Sequence, residues 1–145
     1  MSRRKGTVLT VLIILALLFI WGNSALSRAA SDTLSDAVEN TMSAVGELPG
    51  GGGIKTTLII RKSAHFIEYL VLGALVMLRL GRNKKGALWA FLACCAAACL
   101  DETVQILSGR ASMIKDCVLD AAGAAVGIGI IILITAIRNK NRVMK

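Results

Sequence analysis

The chain has 145 residues, 55% of them hydrophobic and only 4% aromatic, and it carries a formal charge of +8. The apolar residues fall into blocks of about 20, the length that crosses about 30 Å of hydrocarbon, so a membrane protein is indicated and no soluble core is needed. The basic residues sit at the ends of those blocks with no aromatics interleaved, which argues against nucleic acid as a partner and for a role in membrane orientation.

The first apolar block follows Arg3, Arg4 and Lys5 and runs from Thr7 to about Leu26. Its basic start and small residues near Ala25 to Ala30 also fit a secretory signal peptide, but Arg28 blurs any cleavage site, and an uncleaved anchor over residues 1–26 is the favoured reading.

Residues 27–60 form an extracytoplasmic segment in this reading, closed by the turn-forming run from Pro49 to Gly53. Within it Leu34, Val38, Met42 and Val45 recur at helical spacing after Ser31, a capping type. A short amphipathic helix on the membrane surface satisfies that pattern, and so does a solvated, partly helical loop.

The second block spans about Ser63 to Leu80, with Thr56 to Ile60 as an N-terminal extension and Arg61 and Lys62 snorkelling to the interface. After a basic turn at Gly81 to Gly86, the third runs from Ala87 to Leu107 and the fourth from about Asp116 to Ile137. Residues 61–137 are thus a three-helix core and 138–145 a basic tail. The expected fold is all-α: an integral membrane four-helix bundle with a short extracytoplasmic amphipathic segment.

Orientation follows from charge. Eleven Lys and Arg lie at the N-terminus, around the turn and in the tail, against six on the other side. The excess marks the cytoplasm, so both termini are expected inside a multi-pass plasma-membrane protein.

Cys94, Cys95 and Cys99 lie in an Ala-rich stretch of the third block and match no zinc or redox spacing, so they read as packing residues. Gly123 and Gly127 form a small-xxx-small pair suited to close helix approach.

Ionisable groups inside a membrane cost at least about 2.5–3.5 kcal/mol each, so they need partners and point to function. Here His65 and Glu68 fall on the second helix, Asp101 and Glu102 on the third, and Asp116 and Asp120 on the fourth. At a rise of about 1.5 Å per residue, Glu68, Asp101 and Asp120 lie about 7, 9 and 6 Å below the outer ends of their spans. Three helices therefore bring acids to one layer. His65 with Glu68, Asp101 with Gln105, and Asp116 with Asp120 have the spacings that share a helix face. Arg110, in the short outer loop, is placed to descend onto them as a counter-charge or to hold an anionic substrate.

Three kinds of chemistry suit this set. In an outer-leaflet hydrolase or transferase, His65 is the acid or base, Glu68 orients it, and Asp101 tunes it or joins Glu102 and Asp116 around a divalent cation. In a binding protein, the same layer with Lys62, Gln105, Arg110, Asp116 and Asp120 recognises a ligand, or locks the helices together. A proton relay is the weakest reading, because the inner halves of the helices carry no matching polar residues.

The run Arg61-Lys62-Ser63-Ala64-His65-Phe66-Ile67-Glu68-Tyr69, then Leu72-Gly73, Asp101-Glu102-Thr103-Val104-Gln105, Gly109-Arg110 and Asp116 to Gly127, resembles the VanZ-like family of bacterial membrane proteins. The resemblance covers about Arg61 to Gly127, and the first helix matches in layout only. It implies a bacterial plasma-membrane protein whose namesake is associated with low-level resistance to the glycopeptide teicoplanin, and a lipid-linked cell-wall precursor or glycopeptide-related molecule as ligand. Some members carry the label phosphotransbutyrylase, a soluble acyl-transferase activity that this architecture gives no reason to expect. Asp120 stands where the family often has Asn, and Ser108 where Pro is common.

Overall fold

A computed structural model describes residues 3–25, 33, 37, 53–107 and 114–143. Four helices account for nearly all of them: α1 (Arg3–Ala25), α2 (Gly53–Leu80), α3 (Lys84–Leu107) and α4 (Ile114–Val143). Each contains a stretch long and apolar enough to cross a bilayer, of 22, 19, 24 and 27 residues in chain order. The chain is all-α with four membrane-length helices.

The helix ends differ from the sequence expectation for local reasons. Helix α2 starts at Gly53 and so includes the proposed extension, and α4 runs through the basic tail to Val143. Helix α3 begins three residues early because Asn83 caps it: its Oδ1 accepts from Gly86 N–H at 2.7 Å, and its carbonyl accepts from Ala87 N–H at 2.9 Å. Helix α2 ends at Gly81, whose φ of 109° is the left-handed conformation that lets its N–H reach the Met77 carbonyl at 3.2 Å. The α2–α3 connection is therefore only three residues long. Asn83→Ala is expected to cost about 1 kcal/mol, read as a lower melting temperature in detergent with the fold unchanged. The amphipathic pattern at Leu34, Val38, Met42 and Val45 lies outside the described residues, although Thr33 and Ala37 beside it are helical.

The chain passes up, down, up and down, so α1 runs parallel to α3 and α2 runs parallel to α4. Helices α2 and α4 share the most extensive interface. A Cβ added at Gly123 would strike the Phe66 carbonyl, one at Gly127 the Leu70 carbonyl, and one at Gly73 the Ala124 backbone. The two backbones touch directly, as small-xxx-small spacing allows. Helices α1 and α3 are joined instead by side chains. Trp21 Nε1 donates to the Ala97 carbonyl, and Gln105 Nε2 to Ser24 Oγ, both at 3.4 Å. Near the opposite end of the bundle α1 is also joined to α2, by Arg79 Nε donating to Thr10 Oγ1 at 3.1 Å.

Burial is arranged as a bilayer demands. Large apolar side chains such as Leu18, Phe19, Ile67, Trp89, Val118 and Leu133 are exposed, while the most buried positions include Ser24, Asp101, Gln105 and Asp120 beside Tyr69, Leu72, Met77 and Cys94. Lipid solvates the outside and the polar groups turn inward. Thr7, Thr10, Thr103 and Thr135 each donate their hydroxyl to the carbonyl four residues back, which satisfies those groups within their own helices.

Candidate polar site within the bundle

The buried polar groups gather at the end of the bundle where α1 and α3 finish and the spans of α2 and α4 begin. Asp101 is at the centre and has no exposed surface. Its Oδ2 accepts from Gln105 Nε2 at 2.8 Å, the i, i+4 contact expected on one helix face. His65 Nδ1 lies 3.8 Å from the same oxygen and also 3.8 Å from Asp120 Oδ1, so one imidazole faces carboxylates from two other helices. Both distances exceed hydrogen-bond length. His65, Asp101 and Asp120 each offer a ligand atom, and these atoms all lie within 4.8 Å of one another.

The other expected residues surround this centre. Glu68 Oε1 accepts from Asn23 Nδ2 at 3.4 Å, so this carboxylate is tied to α1. Lys62 Nζ pairs with Asp116 Oδ1 at 3.0 Å, both partly exposed, and so forms a rim above the buried groups. Glu102 is half-buried, whereas its neighbour Asp101 is fully enclosed, as adjacent positions on a helix must diverge. Arg110 lies outside the described residues.

Helix α1 supplies groups that sequence reasoning left out. Asn23 and Ser24 reach the layer directly, and Trp21 holds α1 against α3 beside it. The available signal was the polar pair Asn23-Ser24 at the end of an otherwise apolar block. It reads equally well as a chain leaving the membrane, and only the packing distinguishes the two. Tyr69, quoted above only within a motif, is wholly buried.

The layer is short of hydrogen-bond donors. Among the described residues, Glu68 Oε2, Tyr69 Oη, Asp101 Oδ1, Glu102 Oε1 and Asp120 Oδ1 are buried without a hydrogen-bond partner. Four of those five atoms are carboxylate oxygens, so the site is set up to receive a cation or a donor-rich group. A separate cavity of about 770 Å³ lies at the opposite end, lined by Arg4, Lys5 and Arg82 with Val8, Leu9, Leu78 and Gly81. It contains none of the residues of the polar layer.

The family model described as VanZ/LLP1 matches residues 8–135, which reaches into all four helices and takes in every member of the layer. No curated protein and no solved structure matches the chain.

Proposed function

The chain belongs to the VanZ/LLP1 family, and we propose that it acts at the outer face of a bacterial plasma membrane, where the polar layer binds the head group of an envelope component. The component is a lipid-linked cell-wall precursor or a molecule of similar chemistry, and holding it alters how teicoplanin-type glycopeptides reach their target. The observation that carries this reading is the layer of Asp101, Gln105, His65 and Asp120, built from three helices and left with unpaired acceptor oxygens. Polar groups kept only to lock helices together would be expected to satisfy one another. The outward placement is supported by charge, because Arg4, Lys5, Arg79, Arg82, Lys84, Lys85, Arg138, Lys140 and Arg142 all lie toward the opposite end.

The test is a deletion strain complemented with His65→Ala, with membrane abundance and glycopeptide susceptibility measured in parallel. Normal abundance with loss of the susceptibility phenotype is expected. Normal abundance with the phenotype retained would sink the proposal.

A second reading, an outer-leaflet hydrolase or transferase, is favoured by one observation: an imidazole facing two carboxylates, the arrangement of a general acid-base. Turnover of envelope lipids by the purified protein, lost in His65→Ala, would turn binding into catalysis at the same site.

A further inference from the structure

We propose that His65, Asp101 and Asp120 form a binding site for one divalent transition-metal ion. This rests on the reading of the polar layer as a ligand site, and it names the group that makes such a site workable.

Geometry is the first support. His65 Nδ1 stands 3.8 Å from an oxygen of each carboxylate, too far for a hydrogen bond, and the three ligand atoms lie within 4.8 Å of one another. With metal–ligand bonds of about 2.0–2.2 Å, atoms sharing one ion stand roughly 3–4 Å apart, so a small closing of the side chains brings all three into a coordination sphere. The three ligands come from α2, α3 and α4, and an ion among them would tie these helices together.

Burial and charge are the second. Asp101 and Asp120 have 0% and 3% of their surface exposed, and each leaves an oxygen without a hydrogen-bond partner. Tyr69, also 0% exposed and with an unpartnered hydroxyl, is within electrostatic reach of both. Among the described residues, His65 is the only cationic type paired with either carboxylate, while Lys62 is engaged with Asp116 at the rim. Two enclosed carboxylates that meet only an imidazole among the described cationic groups are costly in a bilayer. A divalent ion balances their charge.

Donor chemistry narrows the ion. One imidazole with two carboxylates favours zinc, manganese or ferrous iron over calcium and magnesium, which prefer all-oxygen cages. Gln105, donating to Asp101 Oδ2, is the outer partner that fixes the orientation of a ligating carboxylate. Three protein ligands leave a coordination position open. An oxygen of an anionic head group, such as a phosphate, fits that position, and the ion offsets the repulsion that the bare acids would exert on it.

The experiment uses the purified full-length chain in detergent, titrated with Mn²⁺ and followed by electron paramagnetic resonance and thermal melting. Manganese is chosen because the free thiols of Cys94, Cys95, Cys99 and Cys117 would compete for zinc. One Mn²⁺ per chain is expected, with a raised melting temperature, and both effects should be lost in His65→Gln and Asp101→Asn. Asp120→Asn keeps the side chain's shape and should bind at least tenfold more weakly, which keeps the test decisive if either of the other variants fails to fold. Absence of binding by folded wild-type protein would overturn the site and leave Arg110 as the counter-charge to examine. Binding that all three variants retain would overturn it too, by moving the ion to Glu102 and Asp116. None of these readouts depends on the glycopeptide phenotype, so the metal site and the envelope role can fail separately.

Discussion

Leucine in place of Gly127 is expected to strip the protein from the membrane. A side chain there meets the Leu70 carbonyl and the Ala74 amide, which are parts of a helix backbone and have no rotamer by which to move aside. Overpacking a well-filled core costs about 1–3 kcal/mol when side chains can adjust. Where only backbone can move, α2 and α4 must separate along their length, and the largest interface in the bundle goes with them. The same substitution at Gly129, two residues further on, meets nothing within 4 Å and should leave abundance and melting temperature nearly unchanged. Quantitative immunoblotting of membrane fractions, with melting curves of whatever protein survives, reads both outcomes. Equal behaviour of the two variants would refute backbone contact between α2 and α4.

Asp101→Asn is expected to separate function from fold. Its amide oxygen can still accept from Gln105 Nε2, so the α3 face and the link from Gln105 to Ser24 on α1 persist, while the buried charge is gone. Membrane abundance should match wild type, and the susceptibility phenotype should fall to that of the deletion strain. Asp101→Ala should lower both, because it leaves the Gln105 amide short of a partner at a buried position, an omission worth about 1–3 kcal/mol. If Asp101→Asn keeps full phenotype, the carboxylate is there for packing and the proposed binding role fails.

Much of this was legible in the sequence, and the reasons are specific. Four spans could be read because about 20 apolar residues in a row have few other uses. The Asp101–Gln105 contact followed from helical spacing alone, and the shared layer of Glu68, Asp101 and Asp120 from counting residues along each span. The glycine pair was read correctly as a packing device, but its partner surface at Phe66 and Leu70 was not, because periodicity describes one helix at a time. For the same reason the sequence showed where Glu68 stands relative to His65 on its own helix and not the hydrogen bond that it accepts from Asn23 on α1. Helix α1 was legible as a span and illegible as a contributor to the site. Its apolar run carries no sign of which face meets the bundle, and its polar end looks like an exit from the membrane.

The close seam between α2 and α4 has a consequence for how the site is held. His65 and Asp120 ride on α2 and α4, which the glycines press backbone to backbone. Asp101 and Gln105 ride on α3, coupled to α1 through Trp21 and Ser24. The polar layer is therefore a joint with one side held by backbone contact and the other by side-chain hydrogen bonds. His65 and Asp120 are set by the backbone contact of their own two helices, whereas Asp101 reaches them across interfaces that are smaller and held by side chains.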